Sequence, residues 1–319
     1  RKVQQFEGFL NLAVQAKSPP ASTFKILVAI AALESGKNID PNTTYTCTGA
    51  YQVRSSSRNS PDAHYNCWSS GHGALNLLGA IAQSCNVYFW HMSNAIGPSG
   101  IIKVAKGLGL DRTAGIDLPG EIAGFVPDQK WKQINWSSRW YDGDTLNLAV
   151  GQGFLEATPL GMAVALGAVV NRGKIYKPFL VRDIRDPDTN RVIKTFQPHM
   201  VTEIPMAQDT LDLVEKGMRM VIQSGTGRSI YRPDMVPIAG KTGTAQTRSK
   251  REGKSHAWFV GYGPYEGPPE EKVVVSVFVE FGKGGALSAA PIAMEMLRAA
   301  FPNYQTGLRP DIKKIQPET

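Results

Sequence analysis

The longest apolar run near the start of the chain is Ile26 to Leu33, which follows Pro19-Pro20 and Ser22-Thr23-Phe24-Lys25. Proline is tolerated in the first turn of a helix but not in its interior, so the run predicts a helix over Ala21 to Leu33. A helix apolar on all sides belongs in a core. Glu34-Ser35-Gly36-Lys37 ends it, with Gly36 suited to a left-handed cap. Residues 1–18 read as a strand or loop. Residues 38–70, rich in Thr, Ser, Asn and Pro, read as an irregular loop. Helical spacing returns at Ala74–Gln83, Val87–Ile96 and Ile101–Leu108. Residues 111–147 are loop-rich. An apolar helix over Thr158–Val170 follows, then a helix over Ala207–Ile222 with Leu211, Val214, Met218 and Val221 on one face. The last third changes period. Ala239–Thr247, His256–Tyr262 and Lys272–Phe281 read as strands, Ala289–Phe301 as a closing helix, and 302–319 as a polar tail. No internal repeat is visible. Strands gathered at the end behind a long helical stretch predict an α+β fold, with a helical lobe at roughly 38–235 inserted into a domain covering residues 1–301.

Composition narrows this picture. A chain of 319 residues that is 42% hydrophobic can bury a substantial core. The net charge of +8 favours anionic partners, yet no nucleic-acid module and no block of five Lys or Arg appears. No stretch approaches the roughly 18 apolar residues of a membrane span. The chain begins without Met, so the lack of an anchor here says nothing of a parent protein.

Three short motifs carry the candidate chemistry. In Ser22-Thr23-Phe24-Lys25, residues three apart share a helix face, so the Lys25 amine can reach the Ser22 hydroxyl. A serine hydroxyl needs a neighbouring base, and a lysine can be one where its neutral form is favoured. The helix start also offers free N–H groups to an oxyanion. Ser84-Cys85-Asn86, between two helical patterns, adds a hydroxyl for proton shuttling and an amide to hold a peptide group. Lys241-Thr242-Gly243-Thr244 lies in a predicted strand. Its glycine marks close approach of a ligand, its edge can pair with an extended substrate, and the Thr244 N–H can complete an oxyanion hole with that of Ser22. Each motif alone is weak: a capping serine, a helix-linking turn and a glycine-bearing edge strand account for them separately. Together they form the set found in penicillin-binding proteins and related β-lactamases.

On these motifs the chain resembles the transpeptidase domain of class B penicillin-binding proteins, over nearly its whole length from Asn11 to Phe301. Supporting stretches are Leu12-Ala13-Val14-Gln15, Gly115 to Glu121, Gly143-Asp144-Thr145, Gly151-Gln152-Gly153 and Ala157-Thr158-Pro159-Leu160. Trp140-Tyr141-Asp142-Gly143-Asp144 and Gly71-His72-Gly73 are similar to the elongation branch, penicillin-binding protein 2. The resemblance implies a five-stranded antiparallel sheet flanked by helices plus an all-helical lobe. It implies acyl transfer from the D-Ala-D-Ala end of a peptidoglycan stem peptide to Ser22 and on to an amine, with β-lactams trapping Ser22. It assigns catalytic roles to Ser22, Lys25, Ser84, Asn86 and Lys241, and substrate and oxyanion binding to Thr242, Gly243 and Thr244. No catalytic cofactor is implied. The expected partners are stem peptides, β-lactam antibiotics, a membrane glycan polymerase and elongation-complex proteins. The expected location is the inner membrane, with this domain in the periplasm and the anchor outside this chain.

Cys47, Cys67 and Cys85 cannot all pair internally. One reading is a Cys47–Cys67 disulfide with Cys85 buried. The other joins them to His72 as a Cys₃His set, a composition used for structural zinc; some elongation-type relatives are similar in carrying a metal near this place. His64 is a spare ligand candidate. Asp142, Asp144 and Trp140 can line a groove or cap a helix. Glu156 lacks the surroundings of a hydrolytic base, and His256 reads as structural. Two other functions use the same motifs: a β-lactam-hydrolysing or D,D-carboxypeptidase serine hydrolase, and a non-catalytic β-lactam sensor.

Overall fold

The computed structural model describes residues 10–53, 62–246, 255–302 and 304. In chain order come helix α1 (Leu12–Gln15), a 3₁₀ turn (Ala21–Phe24) leading into α2 (Lys25–Leu33), and strands β1 (Tyr45–Cys47), β2 (Ala50–Val53), β3 (Ala63–Asn66) and β4 (Gly73–Leu75). Helices α3 (Leu77–Ala82), α4 (Asn86–Ile96), α5 (Pro98–Gly107), α6 (Gln129–Trp136), α7 (Asp142–Ala149) and α8 (Pro159–Val170) follow. Then come β5 (Lys174–Lys177), β6 (Asp183–Arg185), β7 (Val192–Thr195), β8 (His199–Glu203), α9 (Gln208–Gln223), β9 (Ala239–Gln246), β10 (Ser255–Gly263), β11 (Val273–Val279) and α10 (Ala290–Ala300).

Two compact units result: residues 1–40 with 89–211, and residues 41–88 with 212–319. These divisions fall at 40, 88 and 211, where the sequence draws one lobe across 38–235. The motif residues are therefore distributed over both units, Ser22 and Lys25 in the first, Ser84, Asn86 and Lys241 in the second.

The first unit is helical. From Lys25 to Ala32 every residue of α2 is buried, and burial of Ile26, Leu27, Val28 and Ile30 contributes about 2 kcal/mol each. Helix α2 packs against α5, and α1 against α8. Gly36 adopts φ +69°, the left-handed conformation its position predicts. Residues 10–18 differ from the expected strand or loop. The Asn11 side chain accepts from the Ala13 N–H and starts the short helix α1, and only Ser18 bridges in extended form, to Ala157. The rest of that prediction, residues 1–9, lies outside the described residues. Helices α6 and α7 occupy a region read as loop. Asp128 caps α6 by accepting from the Trp131 N–H, while Asp144 accepts from the Tyr141 N–H at the start of α7 and pairs with Lys132.

In the second unit β9, β10 and β11 form an antiparallel sheet in the order β11-β10-β9, with α10 packed against β10 and β11. Among the described residues this sheet has three strands, not the five expected. The supposed loop at 38–70 holds strands β1, β2 and β3; β2 pairs with β3, and β1 pairs with β4, which takes the start of the helix expected over Ala74–Gln83. Their alternating half-exposed residues bury too little to betray them in sequence. Helix α9 buries Leu211, Val214, Met218 and Val221, the predicted face. Among the described residues no helix is long and apolar enough to cross a membrane.

Candidate active site and thiol cluster

The Ser22 turn is built by an irregular backbone. Ala21 takes φ +50°, a costly conformation for a residue with a Cβ. Its N–H donates to the Gly151 carbonyl at 2.9 Å. Thr23 Oγ1 donates to the Pro20 carbonyl at 2.6 Å, and the Lys25 N–H donates to the Ser22 carbonyl. The result leaves Ser22 half-buried while Lys25, three residues on, is 0% exposed. Lys25 Nζ lies 5.4 Å from the centroid of the Phe89 ring.

Gly151 sits directly on this turn with φ +69°; a Cβ there would strike the Ala21 carbonyl and come within 2.8 Å of Phe24 Cβ. Gly151→Ala is therefore expected to destabilise the domain by about 2–4 kcal/mol through overpacking and backbone strain. Urea unfolding checks this. A midpoint equal to that of the native sequence would show that the turn yields freely.

The other two motifs meet in the second unit. Ser84 ends α3 with φ +54°. Its N–H donates to the Ile81 carbonyl at 3.2 Å and the Cys85 N–H to the Ala80 carbonyl at 3.0 Å. Lys241 Nζ donates to Ser84 Oγ at 2.8 Å and to its neighbour's carbonyl, Thr242 O, at 3.2 Å. Strand β9 lies at the sheet edge among the described strands. It buries Lys241, Thr242 and Gly243 and exposes Thr244. Thr226, which belongs to none of the three motifs, holds Thr242 through a 2.7 Å hydroxyl contact. Gly243 is flanked by Gly285, where a Cβ would approach the Gly243 N at 2.7 Å. The Gly285 N–H donates to Thr244 Oγ1 at 3.3 Å.

Cys47, Cys67, His72 and Cys85 also converge in this unit, with all ligand atoms within 4.8 Å of one another. All three cysteines are free thiols, so the Cys47–Cys67 disulfide is not formed. His72 Nδ1 lies 3.4 Å from Cys47 Sγ and 3.7 Å from Cys67 Sγ, and buried Nε2 has no hydrogen-bond partner among the described residues. The Cys67 sulfur is pulled down to about 4, first by the hydrogen bond from Cys85 and then by backbone N–H groups that outweigh burial. The same bond and burial push the Cys85 thiol up. His64 instead lies on β3 opposite Gln52, outside this group of donors.

The remaining candidates have structural employment. Glu156 pairs with Lys17 at 3.0 Å. His256 Nδ1 accepts from the Phe281 N–H at 3.2 Å. Trp140 Nε1 donates to Thr145 Oγ1 at 2.9 Å, and Asp142 lies in the first turn of α7.

A Ser22–Lys25 turn, a serine gripped by a buried lysine and a glycine-bearing edge strand recur together in one protein class. Residues 1–298 match the family model for the penicillin binding protein transpeptidase domain, and the chain belongs to that family. Among its relatives, it is 33% identical over 302 residues to the peptidoglycan D,D-transpeptidase MrdA of Haemophilus influenzae, covering 89% of this chain and 44% of that protein. It also matches the crystal structure of Pseudomonas aeruginosa PBP2 in complex with WCK 5153, with TM-score 0.80 and 30% identity, over 96% of this chain and 66% of the other. A third match is PBP2 of Helicobacter pylori, in a complex with MreC, with TM-score 0.78 and 29% identity, over 94% of this chain and 53% of the other. The α+β transpeptidase fold expected from the sequence is the fold observed. The chain spans about half the length of the curated relatives it matches.

Proposed function

We propose that the chain is the catalytic domain of a peptidoglycan D,D-transpeptidase of the penicillin-binding protein 2 type, serving cell elongation and shape. The observation that carries this reading is the 2.8 Å bond from Lys241 to Ser84, because it joins the second and third motifs across 157 positions of sequence. A shared buried hydroxyl–ammonium contact is what a proton relay requires and what a chance pair of motifs lacks.

Ser22 Oγ attacks the carbonyl carbon between the two terminal D-alanines, and Lys25 takes its proton. The Ser22 and Thr244 N–H groups hold the oxyanion; losing one such donor typically costs about 3 kcal/mol. Ser84 and Lys241 pass the proton to the departing D-alanine amine. Asn86 holds a peptide group of the donor strand, and β9 pairs with it along Thr242, Gly243 and Thr244. The ester on Ser22 is then attacked by an amine of a second stem peptide, whose proton returns to Ser22. Side chains and backbone suffice, so the acyl transfer needs no catalytic cofactor.

The four-donor cluster would hold a structural zinc through Cys47, Cys67 and Cys85 Sγ and His72 Nδ1. Support comes from the donor set and its spacing. A tetrahedral site with ordinary zinc bond lengths has sulfur–nitrogen edges of about 3.5 Å, and the distances here are 3.4 and 3.7 Å. No step of the acyl transfer passes through it. The whole protein is assigned to the inner membrane with this domain in the periplasm, acting with a membrane glycan polymerase and elongation-complex proteins, and inhibited by β-lactams.

The test is intact-protein and peptide mass spectrometry after treatment with a penicillin, followed by a chromogenic cephalosporin assay. A stable one-to-one adduct on Ser22 is expected. Rapid cephalosporin turnover, or an adduct elsewhere, would replace the transpeptidase with a hydrolase or remove the assignment.

A further inference from the structure

We propose that Trp68 is a positioning residue for the acyl transfer, fixing through its indole N–H the backbone turn that presents Ser84. The inference rests on the transpeptidase reading of the site. Trp68 Nε1 donates to the Gln83 carbonyl at 3.2 Å and to the Ser84 carbonyl at 3.1 Å. These carbonyls stand at the end of α3, where the helix has no intrahelical donors left to satisfy them. The turn they belong to is strained, with Ser84 at φ +54°, and a non-glycine residue keeps that conformation only when its surroundings enforce it. The neighbouring residue closes the grip from the other side: the Asn86 N–H donates to Cys67 Sγ at 3.4 Å. Two consecutive residues, Cys67 and Trp68, thus hold the turn before and after Ser84.

Burial does not account for a tryptophan at this place, because Trp68 is 60% exposed. Its ring meets the His72 ring edge-on at 5.1 Å, which ties the indole to the thiol cluster. A displaced Ser84 would lose its 2.8 Å bond to Lys241, and errors of about 1 Å in catalytic groups can cost roughly a hundredfold in rate.

The test is acylation of the full chain by a fluorescent penicillin, resolved into a binding constant and an acylation rate constant. For Trp68→Phe, which keeps an aromatic ring and removes the donor, the acylation rate constant is expected to fall about ten- to a hundredfold. Binding, thiol content and melting temperature stay as in the native sequence. In a double-mutant cycle the loss should vanish when Ser84 is already alanine, since Trp68 acts only through that residue. If Trp68→Phe does not fold, a benzothiophene analogue of tryptophan at the same position supplies the same shape without the N–H. An unchanged acylation rate, or a loss that adds in full to Ser84→Ala, would overturn the inference while leaving the function intact. A native chain that is not acylated at Ser22 would sink the transpeptidase reading and this inference together.

Discussion

Ser22→Ala is expected to abolish covalent labelling by β-lactams and to lower transpeptidation by on the order of 10⁴-fold or more. Removal of a nucleophile deletes the covalent route itself rather than weakening one contact in it. What remains is binding and oxyanion stabilisation with nothing to acylate. The fold should tolerate the change. Ser22 is half-buried, the turn is held by Ala21 with Gly151 and by Thr23 with Pro20, and alanine suits the helical turn that follows. Circular dichroism melting therefore stays within about 1 kcal/mol of the native sequence. Gel fluorescence with a labelled penicillin reads the first outcome, and crosslink formation from stem peptides reads the second. Persistent labelling of the variant would show that another residue is the nucleophile.

Zinc removal should have the second-largest effect, this time on stability. Purified protein is expected to carry one zinc per chain and no reactive thiols. A strong chelator in mild denaturant should release the metal and expose all three cysteines to a thiol reagent. Without the ion, three sulfurs and an imidazole are left crowded together, with Cys47 3% and Cys85 1% exposed. Metal binding to such a set is folding free energy, so its loss costs on the order of several kcal/mol and lowers the melting temperature accordingly. The cluster lies at β1, at the loop before β4 and at the start of α4. Local unfolding there should therefore expose the Ser84 turn to hydrogen exchange. Elemental analysis with thiol titration decides the matter: three reactive thiols in untreated, metal-free protein of unchanged stability would remove zinc from the account.

The parts legible in sequence were those whose burial is periodic or continuous. Helix α2 could be read because Ile26 to Leu33 leaves no polar face, and β10 and β11 because they are dominated by β-branched and aromatic residues, with Ser276 the one polar residue inside β11. Helix α6, Gln129–Trp136, was missed because it buries little: Ile134 and Trp136 are exposed, and its only local signal is the Asp128 cap. Strands β1 to β4 were missed because short, half-exposed pairs form from pairing partners rather than from their own pattern. In the site, residue types and order gave Ser22, Lys25, Ser84 and Lys241. The contact between Ser84 and Lys241 depends on α3 ending opposite β9, which no local pattern encodes. Trp68 was invisible for the same reason. Its role lies in where an indole N–H points, and only its place beside Cys67 offered a hint.

The left-handed backbone at Ser84 sets stability against activity at one position. Glycine there would relieve roughly 1 kcal/mol of strain, and side chains other than asparagine and aspartate would keep most of it. Only serine or threonine supplies a hydroxyl for Lys241, and threonine's branched Cβ makes that backbone conformation still harder to hold. A screen that rewards heat resistance alone would therefore drift toward glycine and return well-folded, inert domains. Stabilising this domain while keeping the Ser84–Lys241 contact means leaving that residue strained and seeking the gain elsewhere.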